Sequence, residues 1–137
     1  MKVFFDTNVY VAEALLGVGA QRLINATRRA RWRIFASQYL LDEISHVLVD
    51  DLGFSRRLAA LTRRRIISQC GLVKPNSAAI VPGDPKDSPI LQAALTSRVD
   101  YLVTNDRHLL ALDPFRNLRI VSMTRYYDLL KEHGLLR

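Results

Sequence analysis

The chain has 137 residues, a length that one hydrophobic core can serve. Its 49% hydrophobic and 24% charged content excludes a disordered polymer and allows a packed interior. A net charge of +7, from 20 Lys and Arg against 13 Asp and Glu, favours an anionic partner, and most of the cations are arginines, whose planar guanidinium grips phosphate and stacks on bases.

In chain order, Lys2 leads through Val3, Phe4 and Phe5 straight into Asp6, too short an apolar run for a secretory leader. Residues 3–5 are a predicted strand and residues 9–16 a predicted helix. Gly17-Val18-Gly19 follows a helical stretch rather than a strand and lacks a third glycine, so it reads as a turn, not a dinucleotide loop. A helix over 21–31, a strand over 34–36 and helices over 37–50 and 55–70 come next. Gly53, Gly71 and Gly134 stand where helices should stop.

Residues 73–86 are the loosest segment, with Pro75, Pro82, Pro85 and Gly83, and hold one further short strand around Ile80 and Val81. A helix over 88–97, strands over 101–104 and 120–122, and a helix over 125–133 complete the chain, in which Leu129, Leu130, Leu135 and Leu136 read as core. This alternation predicts an α/β fold, a mainly parallel sheet covered by helices, in one domain spanning 1–137. No stretch approaches 18 consecutive apolar residues, and the lone Cys70 permits neither an internal disulfide nor a multi-cysteine zinc site. The expectation is a soluble, unexported, cytoplasmic protein.

Acidic residues carry the candidate chemistry. Asp6 closes the first strand and Asp106 follows the strand over 101–104, so a parallel sheet delivers both to its carboxyl edge, where ligands of open α/β sheets gather. Strand-end aspartates are also turn formers and helix caps. In the helix over 37–50, Leu40, Leu41, Ile44, Val47 and Leu48 define a buried stripe; at about 100° per residue Glu43 borders it, while Asp42 and His46 point to solvent. Asp87 stands three, four and seven residues before Ile90, Leu91 and Ala94 and so shares their inward face, although Asp84 and Asp87 both also resemble helix caps. Four anions converging in one place need a counter-charge, and a hard divalent cation such as Mg2+, bound by oxygen, supplies it for one or two ions.

Two arginine clusters, Arg28, Arg29, Arg31 and Arg33 around Trp32 and then Arg56, Arg57, Arg63, Arg64 and Arg65, are solvated helix faces, RNA contacts or a surface for an acidic protein. An aspartyl-phosphate phosphatase would want an acid two residues after Asp6, where Asn8 stands. A phosphoreceiver would want an acidic pair and a strand-end lysine.

Phe5-Asp6-Thr7-Asn8-Val9, Ser37 followed by Glu43, Asp84-Pro85-Lys86-Asp87 leading into Ile90 and Ala94, and Val103-Thr104-Asn105-Asp106 leading into Leu109-Leu110 occur in an order and spacing that resembles the PIN-domain nucleases, especially the VapC-like toxins of type II toxin–antitoxin pairs. The resemblance implies a Rossmann-like α/β/α sandwich and a Mg2+- or Mn2+-dependent endoribonuclease acting on single-stranded RNA. It further implies dimerisation and inhibition by a small antitoxin. Asp6, Glu43, Asp87 and Asp106 occupy its four acidic positions. Thr7, Asn8, Thr104 and Asn105 correspond to groups that orient carboxylates or water, and Asp84 is an extra acid. Similar PIN domains mature ribosomal RNA or act in RNA quality control, and a non-catalytic RNA-binding or assembly module on this scaffold is the alternative from another class.

Overall fold

The structure is a computed structural model that describes residues 1–136. Five strands, β1 (Lys2–Phe5), β2 (Arg33–Ser37), β3 (Gly71–Val73), β4 (Tyr101–Val103) and β5 (Arg119–Val121), form one sheet in the order β3-β2-β1-β4-β5. Every pairing is parallel, with Phe4 opposite both Phe35 and Leu102 in register. The helices are α1 (Thr7–Ala14), α2 (Val18–Arg29), α3 (Gln38–His46), α4 (Arg56–Gln69), α5 (Ser88–Ser97), α6 (Arg107–Leu110) and α7 (Met123–Glu132).

Consecutive strand residues face opposite sides of a sheet, yet Phe4 and Phe5 are both fully buried, as are Leu102 and Val103. Both faces must therefore be covered, the signature of a parallel sheet inside a three-layer α/β/α sandwich. Complete burial of each phenylalanine contributes about 2–3 kcal/mol. Phe5 meets Tyr10 of α1 and Tyr126 of α7 edge-on, with ring centres 6.0 and 5.7 Å apart, which fixes both helices on β1. α7, α2, α1, α3 and α4 touch in series, while α5 packs on β2 and β3. Right-handed crossovers put α5 on the opposite face from that series.

The chain starts in the middle of the sheet, runs outward through β2 to β3, then returns to the other side of β1 for β4 and β5. Strand order thus reverses between β1 and β4, and the crevice at their carboxyl ends is the switch point where such sheets bind ligands. The ladder continues past the strands there: Asp6 N–H donates to Val103 O and Thr104 N–H to Val121 O, each at 2.9 Å.

Several boundaries differ from the sequence expectation. The turn expected at residues 17–19 is instead the start of α2, with Gly17 as its cap. Gly17 N–H donates to Ala12 O at 2.9 Å, and a Cβ there would lie 2.7 Å from that oxygen, so only glycine permits the close turn between α1 and α2. Residues 71–73 pair with β2 as an edge strand that helix-stop chemistry at Gly71 concealed. No strand forms at Ile80 and Val81; Ile80 is exposed, and Val81 N–H is satisfied by Ser88 Oγ at 2.9 Å instead of by a neighbouring strand. The expected helix over 37–50 changes pitch at its end, where Val47–Asp51 form a π-helical turn. Leu129, Leu130 and Leu136 are buried and Leu135 packs against them, in keeping with a core role.

Candidate functional site

Each candidate acid reaches the switch-point crevice by its own local device. Asp6 follows β1 directly, is 4% exposed, and caps α1 by accepting Thr7 N–H at 2.7 Å. Its other oxygen accepts the Thr104 hydroxyl at 2.7 Å and Asn8 Nδ2 at 3.4 Å. Glu43 lies on α3, which Ser37 caps by accepting Leu40 N–H at 3.2 Å; the Thr7 hydroxyl donates to Glu43 Oε1 and joins α1 to α3. Leu40, Leu41, Ile44 and Leu48 form the buried stripe beside it, while Asp42 turns outward to Gln38 and Arg63 and His46 pairs with Asp50.

Asp106 caps α6 through one oxygen, which accepts His108 N–H at 2.8 Å and Leu109 N–H at 3.2 Å. Its own N–H donates to Thr104 Oγ1 at 3.0 Å, so a single buried hydroxyl binds both Asp6 and the Asp106 backbone. Asp87 stands at the start of α5 but its side chain caps nothing, and its Oδ2 is buried with no hydrogen-bond partner among the described residues. Capping in that stretch falls to Asp84, which accepts Lys86 N–H at 3.2 Å. Asn105 bonds no carboxylate among the described residues: its N–H donates to Asn8 Oδ1 at 3.4 Å and its Oδ1 accepts Met123 N–H at 3.1 Å, tying α7 to the crevice.

Asp6, Thr7, Asn8, Val11, Glu43, Val47, Asp87 and Asp106 line one cleft of about 280 Å³. Larger hollows of about 420 and 650 Å³ meet at Leu95, Arg98 and Arg116 near the start of β4. Their one carboxylate, Asp100, already accepts the Lys2 N–H at 2.8 Å, so they create no demand for a cation.

The cleft is electrostatically frustrated. Burial pushes the Asp6 carboxyl up to about 6 against the lowering effect of its bonds from Thr104 and Thr7, and the charges of Glu43 and Asp106 raise it further. Burial also leads the causes that raise Asp87 to about 8, followed by the closeness of the Asp106 carboxylate and the charges of Asp6 and Asp84. A proton or a cation has to satisfy Asp87 Oδ2, and at neutral pH a divalent cation does so while neutralising several neighbours at once. The orphaned oxygen and the all-oxygen donor set along the cleft fit a hard metal ion.

Two residues at the site escaped the sequence reading. His108 joins Asp84, Asp87 and Asp106 in a group whose potential ligand atoms all lie within 4.8 Å of one another, a group that omits Asp6 and Glu43. The two sets share Asp87 and Asp106, which makes this pair the centre of the acidic region. Tyr39 lies one turn before Glu43, and its hydroxyl donates to Lys86 O at 3.1 Å. Burial and then the Glu43 charge hold that hydroxyl protonated, up to about 12. Helical spacing from Glu43 identifies Tyr39, whereas nothing local marks His108 except its place two residues after Asp106.

A family model described as PIN domain matches residues 2–108, a span that includes all four candidate acids. The chain belongs to the PIN domain family. No curated protein and no solved structure matches the chain. PIN domains are generally nucleases that act on RNA and use divalent metals, and the group of Asp84, Asp87, Asp106 and His108 is one that could hold a metal ion.

Proposed function

We propose that this PIN domain is a Mg2+- or Mn2+-dependent endoribonuclease that hydrolyses single-stranded RNA, with Asp6, Glu43, Asp87 and Asp106 as its metal-holding and catalytic carboxylates. The observation that carries this reading is the buried, unpartnered Asp87 Oδ2 facing three other acids in one cleft. A purely structural cap at the start of α5 would have bonded a backbone N–H, as Asp84 and Asp106 do.

When bound, a divalent cation supplies Lewis-acid charge that lowers the pKa of an attacking water and offsets charge on the phosphate. The chain supplies position. Thr104 and Thr7 hold Asp6 ionised and aimed, and Thr7 likewise fixes Glu43. Asp87, at the start of α5, and Asp106, the cap of α6, would hold the ion together with Asp6 and Glu43. Asp84 and His108 stand beside Asp87 and Asp106, with 3.8 Å between His108 Nδ1 and Asp84 Oδ2. The excess of exposed arginine attracts the RNA backbone to the protein with or without metal, and a bound cation would offset the negative charge of the cleft.

Within this reading the protein is the cytoplasmic toxin of a type II pair, acts as a homodimer, and is held in check by a small antitoxin. Support comes from the order of the sequence motifs and from the absence, among the described residues, of a helix long and apolar enough to cross a membrane. Purified protein incubated with single-stranded RNA should cut it with Mg2+ or Mn2+ and not with chelator. Asp87→Asn should still bind RNA while cutting falls about 100-fold or more. Cutting that ignores metal, or an unimpaired Asp87→Asn variant, would refute the assignment.

A further inference from the structure

Beside the acidic cleft lies a second hollow that the carboxylate chemistry does not use. Gly19, Leu23, Asn105, Met123, Thr124 and Tyr127 line an open hollow of about 330 Å³ between the start of α2 and the first turns of α7. That volume is in the range of about 300–1,000 Å³ where small ligands bind. Its walls are mainly apolar, from Leu23, Met123 and Tyr127, with the exposed Asn105 at the edge.

Asn105 is the partition between the two spaces. Its backbone N–H bonds Asn8, which lines the cleft, while its side-chain oxygen bonds the Met123 N–H inside the neighbouring hollow. The Asn105 side-chain NH2 has no partner among the described residues and can donate to a ring nitrogen or carbonyl of an incoming group. Positive charge flanks the hollow: the Arg22 guanidinium lies 5.4 Å and the Lys131 ammonium 5.6 Å from the Tyr127 ring centre.

We propose that this hollow is a base-binding subsite that seats one unpaired nucleobase of the RNA next to the phosphate held in the acidic cleft. The proposal rests on the reading of the chain as an RNA nuclease. An apolar slot with one directed donor fits a flat aromatic base, the cations beside Tyr127 suit the phosphate that accompanies it, and a base can enter only if it is not paired. The slot therefore supplies a reason for preferring single strands, and Asn105 supplies a reason for preferring some bases over others.

Gly19 provides a test that does not endanger the fold. It lies in α2, its φ is not positive, and a Cβ there has nothing within 4 Å, so Gly19→Leu introduces a better helix former whose side chain occupies the slot. An end-labelled single-stranded RNA octamer is compared by fluorescence anisotropy with octamers carrying an abasic residue at each successive position, in chelator and low salt. The wild-type protein should bind the intact RNA about tenfold more tightly than the RNA lacking a base at one position. In Gly19→Leu and Tyr127→Leu that ratio should fall to near one. Equal binding of every abasic RNA, a ratio that survives Gly19→Leu, or no RNA binding at all would overturn the subsite. Adding Mn2+ to the wild-type mixture separates the two readings: a persistent abasic effect without cutting leaves the subsite standing and removes the nuclease.

Discussion

Thr104→Val changes one atom type in a buried side chain of nearly constant shape, so its effect reports the hydroxyl and not a cavity. That hydroxyl donates to Asp6 Oδ2 at 2.7 Å and accepts Asp106 N–H at 3.0 Å, and Thr104 is 0% exposed. A hydrogen bond to a charged acceptor contributes about 1.5–3 kcal/mol, and an N–H left without a partner adds about 1 kcal/mol or more. Without metal at pH 8 the variant should therefore lose about 2–4 kcal/mol of stability. The loss depends on pH because the Thr104 bond lowers the Asp6 pKa, which stands at about 6 despite it. Removing the bond raises that pKa further, and the extra penalty appears only as pH climbs past about 6 and Asp6 ionises. At pH 5 Asp6 is largely protonated and the loss should shrink to about 1–2 kcal/mol. Urea unfolding in EDTA at the two pH values measures both quantities. An equal loss at both, or a loss below about 0.5 kcal/mol, would show that Thr104 does not hold an ionised Asp6.

Metal-free stability should decline between about pH 4 and pH 8, because Asp6 and Asp87 have folded pKa values of about 6 and about 8 against 3.8 when unperturbed. The native state then binds more protons than the unfolded chain over that window, and thermal melts should show Mn2+ restoring what high pH removes. Asp87→Asn should raise the metal-free melting temperature at pH 8 and flatten the profile even as it stops cutting, and a variant less stable than wild type under those conditions would contradict the frustrated cleft. Tyr126→Phe should cost about 0.5–1.5 kcal/mol in urea unfolding. Thr27 already donates to Leu23 O at 2.8 Å, so Tyr126 is the donor in their 2.6 Å contact and its loss leaves Thr27 satisfied as a donor.

The sequence made the sheet legible wherever strands are buried on both sides. Phe4 and Phe5, or Leu102 and Val103, are continuous apolar runs because each neighbour faces a different helical layer. β3 was hidden because Gly71 and Leu72 are exposed at an edge, so neither burial nor alternation marks them. α6 is four residues long, too short for a periodic pattern, and exists because Asp106 caps it. The convergence of Asp6, Glu43, Asp87 and Asp106 followed from strand ends and helical spacing, which are local signals. The approach of Asp84 and His108 was not legible, since it depends on how the loop before α5 folds onto the start of α6, and that contact carries no periodicity. The resemblance implied that Asn105 orients a carboxylate or water, and its observed bonds run to Asn8 and Met123.

Manganese is the most direct probe of the cleft. In crystals soaked with Mn2+, an anomalous difference map should show a peak inside the cleft, about 2.1 Å from a carboxylate oxygen of Asp87 and from one of Asp6 or Asp106. A cleft that stays free of manganese at saturating concentration, or manganese bound only at a distance from Asp87, would contradict the claim that these acids are gathered to hold a divalent ion.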